Sequence, residues 1–216
     1  MENCHKFQQT WRYVEPICTP HFCSNFPKIG EQFTNVTKMW KEITYMMELS
    51  TNIKSICCSE ELCTKFNTCC NQIDQVQREM NCMLEEKKRA FPRFYFLDQD
   101  SLLDLYCNPN TTQQLNKYVC KIFENIRELQ FDESSNIVAM MENQNERMTM
   151  VRNVPTCNRP LETILKELEN VMRETVRHEL KNAVTNYPEN NRNNWIKTTP
   201  SQCVQTSSQI WWTSST

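Results

Sequence analysis

Thirteen cysteines and three histidines are the side chains of this 216-residue chain best suited to metal or thiol chemistry. Zinc is held by thiolates and imidazoles on short knuckles, and loops can bend such knuckles around the ion. Cys18, His21 and Cys23, with Cys4 and His5 upstream, offer such a set in a stretch broken by prolines, and they are the candidate zinc ligands. A second cluster, Cys57, Cys58, Cys63, Cys69, Cys70 and Cys82, is spaced too irregularly for knuckles. Its Cys69 falls on an apolar helical stripe, where cysteine packs as a small hydrophobe. Nucleophilic catalysis needs a thiol or hydroxyl beside a base. His178 lies in a charged run with Arg173, Glu174, Arg177 and Glu179, which reads as a solvated face. A Cys–His pair at His21 is the one dyad left open, and packed thiols are preferred to it. No catalytic residue and no cofactor are assigned.

A single glycine, Gly30, excludes more. Phosphate-cradling loops, dinucleotide fingerprints and nucleophile elbows each need two or three glycines. None can be written here, so no enzymatic activity of the chain's own is expected. Scarce glycine also disfavours tight positive-φ turns and favours helices over hairpins. Twenty-four basic against 26 acidic residues leave no polyanion-binding footprint, so no nucleic acid is expected. No apolar stretch approaches the ~18 residues of a membrane span, and Met1, Glu2, Asn3 and His5 do not open a secretory signal. These features predict an intracellular location with reduced thiols, and the sequons at Asn35 and Asn110 read as chance.

Helical periodicity organises the rest. Ile29, Phe33, Val36, Trp40, Ile43 and Met47 alternate by four and three, as do Leu62, Phe66, Cys69, Ile73, Val76, Met80 and Met83. These predict two long helices that pair with each other, the second opening at Ser59 and running to Arg89. Asp98 caps a short helix to Tyr106. A further helix from Thr111 or Thr112 has the face Leu115, Val119, Ile122, Ile126 and Leu129. Residues 136–141 and 147–151 read as a β-hairpin about Asn143 and Asn145. A last long helix carries Leu161, Leu165, Leu168, Met172, Val176, Leu180 and Val184 and ends before Pro188. The apolar residues near the terminus, Trp195, Ile196, Val204, Ile210, Trp211 and Trp212, read as a cluster awaiting a surface outside the chain. The fold class is mainly α, an elongated multi-helix rod with one small β-hairpin. Its expected divisions are 1–90 (amino-terminal helices), 91–97, 98–135 (helical), 136–151 (hairpin), 158–187 (long helix) and 195–216.

Residues 91–97, FPRFYFL, join the helices. Pro92 cannot donate a helical hydrogen bond and pushes Phe91 out of helical geometry. Four rings within six residues predict a packed elbow built from Phe91, Pro92, Arg93, Phe94 and Phe96. Arg93, among rings, is placed to stack and to bond helix-end carbonyls. Interleaved bases and rings also occur on single-strand nucleic-acid surfaces, but Glu85, Glu86, Asp98 and Asp100 cancel the local charge.

The segment LEEKKRAFPRFYFLDQDSLL resembles the linker region of dynein heavy chains. So do WRYVEPICTPHFCSNFP (11–27), FTNVTKMWKEITYMM (33–47), CKIFENIRELQF (120–131), Ala139-Met140-Met141 with Glu146, and QIWWT (209–213). The matches are collinear and span nearly the whole chain. The resemblance implies the carboxy-terminal part of that linker, a curved helical rod that bends and straightens as an AAA+ ring turns over ATP. It implies that the chain is non-catalytic and transmits this change to the tail, in microtubule-based movement, with the ATPase in the parent motor. Gln209, Ile210, Trp211, Trp212 and Thr213 would form the junction toward the ring. Implied partners are the ring in cis, dynein intermediate and light intermediate chains at the level of the complex, and microtubules only indirectly. The implied location is cytoplasmic and cytoskeletal, in a cilium or flagellum axoneme, the axonemal type being the nearer one. The pattern departs at Asn145, at Ser201 after Pro200 and around Cys157 and Asn158, where the family has glycine, and each loss predicts strain if φ there is positive. Two alternatives stand beside the linker: a free helical interaction module or diverged non-motor fragment, and a Cys/His zinc-binding protein.

Overall fold

Helices form where the apolar period is 3.6 and end where proline, asparagine or a cap intervenes. The computed structural model describes residues 2–49, 59–108, 111–142, 146–157, 159–189 and 191–214. Among these the helices are α1 (Glu2–Val14), α2 (Pro20–Asn25), α3 (Pro27–Leu49), α4 (Glu60–Ala90), α5 (Gln99–Cys107), α6 (Thr111–Ile122), α7 (Leu161–Asn186), α8 (Arg192–Thr198) and α9 (Ser201–Ser214). A 3-10 helix covers Pro92–Phe96, and three strands follow α6: β1 (Ile126–Phe131), β2 (Ile137–Glu142) and β3 (Arg147–Val154). The fold class is mainly helical, as expected. No described helix is long and apolar enough to cross a membrane. The Asn143–Asn145 turn, Cys57, Cys58, Asn110 and Asn158 lie outside the described residues.

The chain divides into two compact units, Met1–Arg89 with Leu97–Pro109, and Ala90–Phe96 with Asn110–Thr216. In the first, α3 and α4 pair antiparallel as their stripes predict: Lys28 and Gln32 reach Glu79, and Cys69 donates its thiol to the Val36 carbonyl. Phe7 of α1 sits 4.6 Å from Trp40 and 5.9 Å from Phe66, closing the far end with three rings. Six side chains of α4 are buried, Cys69, Ile73, Val76, Met80, Met83 and Leu84, and each large apolar one contributes ~1.5–3 kcal/mol on burial. Gly30 is there for closeness of packing. A Cβ on it would lie 2.8 Å from Cys23 Cβ, so α2 can meet α3 only where one helix has no side chain. Asp98 accepts the Ser101 N–H and caps α5 as predicted.

The second unit holds a three-stranded antiparallel sheet in the order β1-β2-β3. The expected hairpin is present as β2 and β3, β1 adds a third strand to it, and the helical assignment of 98–135 is corrected beyond Ile122. The helix ends at Ile122, and Asn125 turns the chain with φ 67, a conformation asparagine tolerates. A β-bulge between Ile126 and Glu128 sets two steps of β1 against one of β2. It leaves Ile126 and Leu129 both buried although they are three apart, which mimics helical spacing. Both sheet edges are covered by helix side chains. On β1, Asn116 of α6 accepts the Leu129 N–H and donates to the Leu129 carbonyl. On β3, Thr175 of α7 accepts the Val151 N–H. Of the lost-glycine positions, Ser201 and Cys157 are described and need no glycine: among the described residues only Asn125 and Ser135 are non-glycines with positive φ.

Candidate functional site

Phe91, Pro92, Arg93, Phe94 and Phe96 start from a 3-10 geometry in which residues three apart lie on one side. Phe91 and Phe94 therefore point together, ring centroids 5.1 Å apart and nearly perpendicular, and both are buried. Phe91 also meets Phe123 at the end of α6 at 6.4 Å. Tyr95 and Phe96 fall on the other sides, and Phe96, expected among packed rings, is 68% exposed. The packed part of the elbow thus has two of its rings rather than four.

Arg93 ties this elbow into the second unit. One guanidinium nitrogen donates to the Ile122 carbonyl at 3.3 Å, in the last turn of α6, where carbonyls lack helical partners. Another pairs with Glu169 of α7 at 3.3 Å. The guanidinium carbon stands 5.0 Å from the Phe123 ring centroid. A fork with several donors can satisfy a carbonyl, a carboxylate and a ring at once, and lysine cannot. Glu169 is shared with Arg173 at 2.6 Å.

The aromatic end behaves differently from expectation. Trp211 lies on α9 and faces inward: its indole N–H donates to the Val184 carbonyl at 2.9 Å, and its ring stacks on Tyr187 at 5.6 Å. Trp195, also outside any apolar period, is buried and donates to the Ala183 carbonyl at 3.1 Å. Ala183, Trp195 and Cys203 form a small core with Leu180, Tyr187 and Val204. The surface expected outside the chain is, for Trp211, the end of α7. Trp212 is 73% exposed and Ile210 is exposed too, while the Thr213 hydroxyl donates to the Gln209 and Ile210 carbonyls of its own helix.

A further link was invisible in the sequence. Glu146, at the mouth of the hairpin, accepts both the backbone N–H and the hydroxyl of Ser201, satisfying the first turn of α9. Those bonds hold its carboxyl below the usual range. Glu142 beside it is pushed up, first by burial and then by the Glu146 charge.

Cys18, His21 and Cys23 do not come together as a ligand set. His21 and Cys23 lie on the helix α2, not on a loop, and residues two apart do not face each other. The His21 Nε2 meets the Asn25 amide at 3.2 Å. Cys18 lies near Cys23 and Cys107, and burial pushes its thiol up to about 12 and that of Cys107 up to about 11, against the thiolate a metal needs. Among the described residues, no three His, Cys, Asp or Glu side chains gather to hold a metal ion. Every described cysteine is a free thiol.

Residues 1–183 match the family model for dynein heavy chain, N-terminal region 2. The chain is 29% identical over 214 residues to dynein axonemal heavy chain 12 of Mus musculus, covering 98% of this chain and 7% of that protein. It is 30% identical over 212 residues to dynein axonemal heavy chain 11 of Sus scrofa, covering 95% of this chain and 5% of that protein. Dynein axonemal heavy chain 1 of Homo sapiens aligns over 213 residues at 28% identity, 98% of this chain and 5% of that protein. The chain therefore spans a small fraction of the length of the relatives it matches. The family description names an amino-terminal region of the heavy chain, which is coarser than a place beside the first AAA+ module. With the match running through both compact units, the chain belongs to the dynein heavy chain family.

Proposed function

We propose that this chain acts as a linker segment of an axonemal-type dynein heavy chain, a mechanical element with no catalysis of its own. It carries the ATP-driven change of an AAA+ ring elsewhere in the heavy chain toward the tail. The observation that carries this reading is the Arg93 knot, which fastens the elbow to the end of α6 and to α7. A lever segment must hold its elbow firmly, and three contacts on one side chain fix this elbow within the second unit. The collinear resemblance, including QIWWT at 209–213, supports a position ahead of the ring, and the axonemal names of the relatives support an axonemal type. In this reading the partners are the ring in cis and, within the assembled motor, the intermediate and light intermediate chains. Microtubules are engaged indirectly, and the location is the cytoskeleton of a cilium or flagellum.

The test exchanges this segment for the matching one in an axonemal heavy chain and measures ATPase and microtubule gliding together. Gliding should be supported by the native segment. In an Arg93→Ala/Phe94→Ala segment it should fall with ATPase largely kept. Equal gliding with both segments, or loss of ATPase in parallel, would refute a mechanical role.

A further inference from the structure

The second unit contains an open groove of about 820 Å³ built from β2, β3, α7, the end of α8 and the elbow. Its floor includes Met172 and Val176, one helical turn apart on α7, and Met148 on β3. All three are only half-buried, so apolar surface is left uncovered inside a concave wall. Methionine suits such a surface, because its unbranched chain adapts to what it meets. Beside the floor stand Arg173 and Arg177, again one turn apart, and Lys197. All three are exposed.

The charge of the groove is lopsided. Five basic side chains line it against three acidic ones. Of the acids, Glu146 is already engaged by Ser201, Glu142 lies against Glu146, and Glu124 is exposed in the turn after α6. Of the bases, Arg173 shares Glu169 with Arg93, and Arg147 bonds Gln130. Arg177 and Lys197 make no ion pair among the described residues. The lining thus carries a surplus of two positive charges, and Arg177 and Lys197 stand beside the apolar strip.

We propose that this groove docks an acidic amphipathic helix of a partner protein, with apolar anchors on Met148, Met172 and Val176 and carboxylates on Arg173, Arg177 and Lys197. A single phosphate would call for donors converging on a point. Here Arg173 and Arg177 follow one another along α7 with a rise of ~6 Å, the spacing of i and i+4 carboxylates on a second helix, and Lys197 stands separately on α8. A membrane would need a convex apolar face, and this one is concave. An apolar strip with flanking charge is the usual form of helix-in-groove recognition. The inference stands on side chains of the second unit alone and holds whether or not the chain serves as a lever.

The probe is a fluorescein-labelled synthetic helix of leucine and alanine with glutamates at i and i+4 beside the leucines. Its binding to the 216-residue chain is followed by anisotropy at low and high salt. Two control peptides carry Gln for Glu and Ser for Leu. The acidic helix should bind, weaken as salt rises, and exceed both controls by about tenfold. Arg177→Glu with Lys197→Glu should weaken it by about tenfold, whereas Lys166→Glu with Lys181→Glu, an equal charge change at exposed sites on α7 outside the groove, should change it less than about twofold. Circular dichroism of each variant separates lost binding from lost fold. If the reversal unfolds the chain, Arg177→Ala with Lys197→Ala replaces it, again with weaker binding expected. Equal binding of the Gln peptide, equal loss in the two reversals, or displacement of the peptide by inorganic phosphate or anionic vesicles overturns the proposal.

Discussion

Replacing Arg93 with alanine removes a carbonyl contact, a carboxylate contact and a ring contact at once, and their sizes can be bounded. The two polar contacts are both 3.3 Å long and the side chain is 36% exposed, so solvent screens them. Contacts of that kind contribute ~0.2–1 kcal/mol each, and the cation over Phe123 adds ~0.5–1 kcal/mol. Loss of the guanidinium strands no buried charge, because Glu169 keeps Arg173 at 2.6 Å. Arg93→Ala should therefore cost about 2 kcal/mol, a drop of roughly 4–8 °C in Tm. Arg93→Lys keeps the charge near the ring and loses the fork, and should cost about half as much. Phe94→Ala empties a fully buried site and should cost ~3–5 kcal/mol. Urea unfolding followed by tryptophan fluorescence in a Trp11→Phe/Trp40→Phe background reports the second unit alone, since the other tryptophans lie there. A double-mutant cycle with Glu169→Ala should give a small coupling that fades with salt. An Arg93→Ala variant within ~0.5 kcal/mol of the parent, the scatter of neutral surface changes, refutes the knot.

Other outcomes follow from particular contacts. Gly30→Ala forces a Cβ against Cys23 Cβ at 2.8 Å and should destabilise the first unit by ~1–3 kcal/mol, read by thermal melting; an unchanged Tm would mean α2 shifts freely. For Glu142 the folded pKa is raised, so its charged form burdens the fold once pH climbs above the ordinary value of 4.5. Glu142→Gln should thus be the more stable at pH 7, with the gain vanishing below that value. For Glu146 the folded pKa is lowered, so its contribution is present above 4.5 and lost as pH falls through the folded value. Glu146→Gln should be less stable than the parent at pH 7, and urea curves across pH check both signs. Iodoacetamide at pH 8 should label Cys63, Cys82, Cys120 and Cys157 first and spare Cys18, Cys69 and Cys107, which are pushed up to about 12, 12 and 11; mass spectrometry of the peptides gives the order.

The long helices were readable because an apolar stripe repeated over many turns has one solution. Ile29 to Met47 and Leu62 to Met83 became α3 and α4 with the pairing their stripes require. Strand β1 was misread for an equally physical reason: a bulge gave Ile126 and Leu129 the spacing of a helix. At the elbow, the proline break was legible and the destination of each ring was not. A 3-10 turn buries Phe94 and exposes Phe96, and only its handedness and packing decide which. The Cys18, His21 and Cys23 set dissolved because the stretch is helical, which Thr19 capping and Pro20 at the first turn could have announced.

Read by itself, the sequence determined the helical class, the lack of nucleotide loops, the break at Pro92 and membership of a dynein heavy-chain lineage. These are local or collinear properties, written in spacing, in a count of glycines and in matched segments. Tertiary structure alone decided that Trp211 turns back onto Tyr187, that Glu146 holds the start of α9, and that Arg93 binds α6 and α7 together. Each depends on residues dozens of positions apart in the chain meeting within a few ångströms. Such contacts arise from how amphipathic elements close over a shared core, and no periodicity along one element records them.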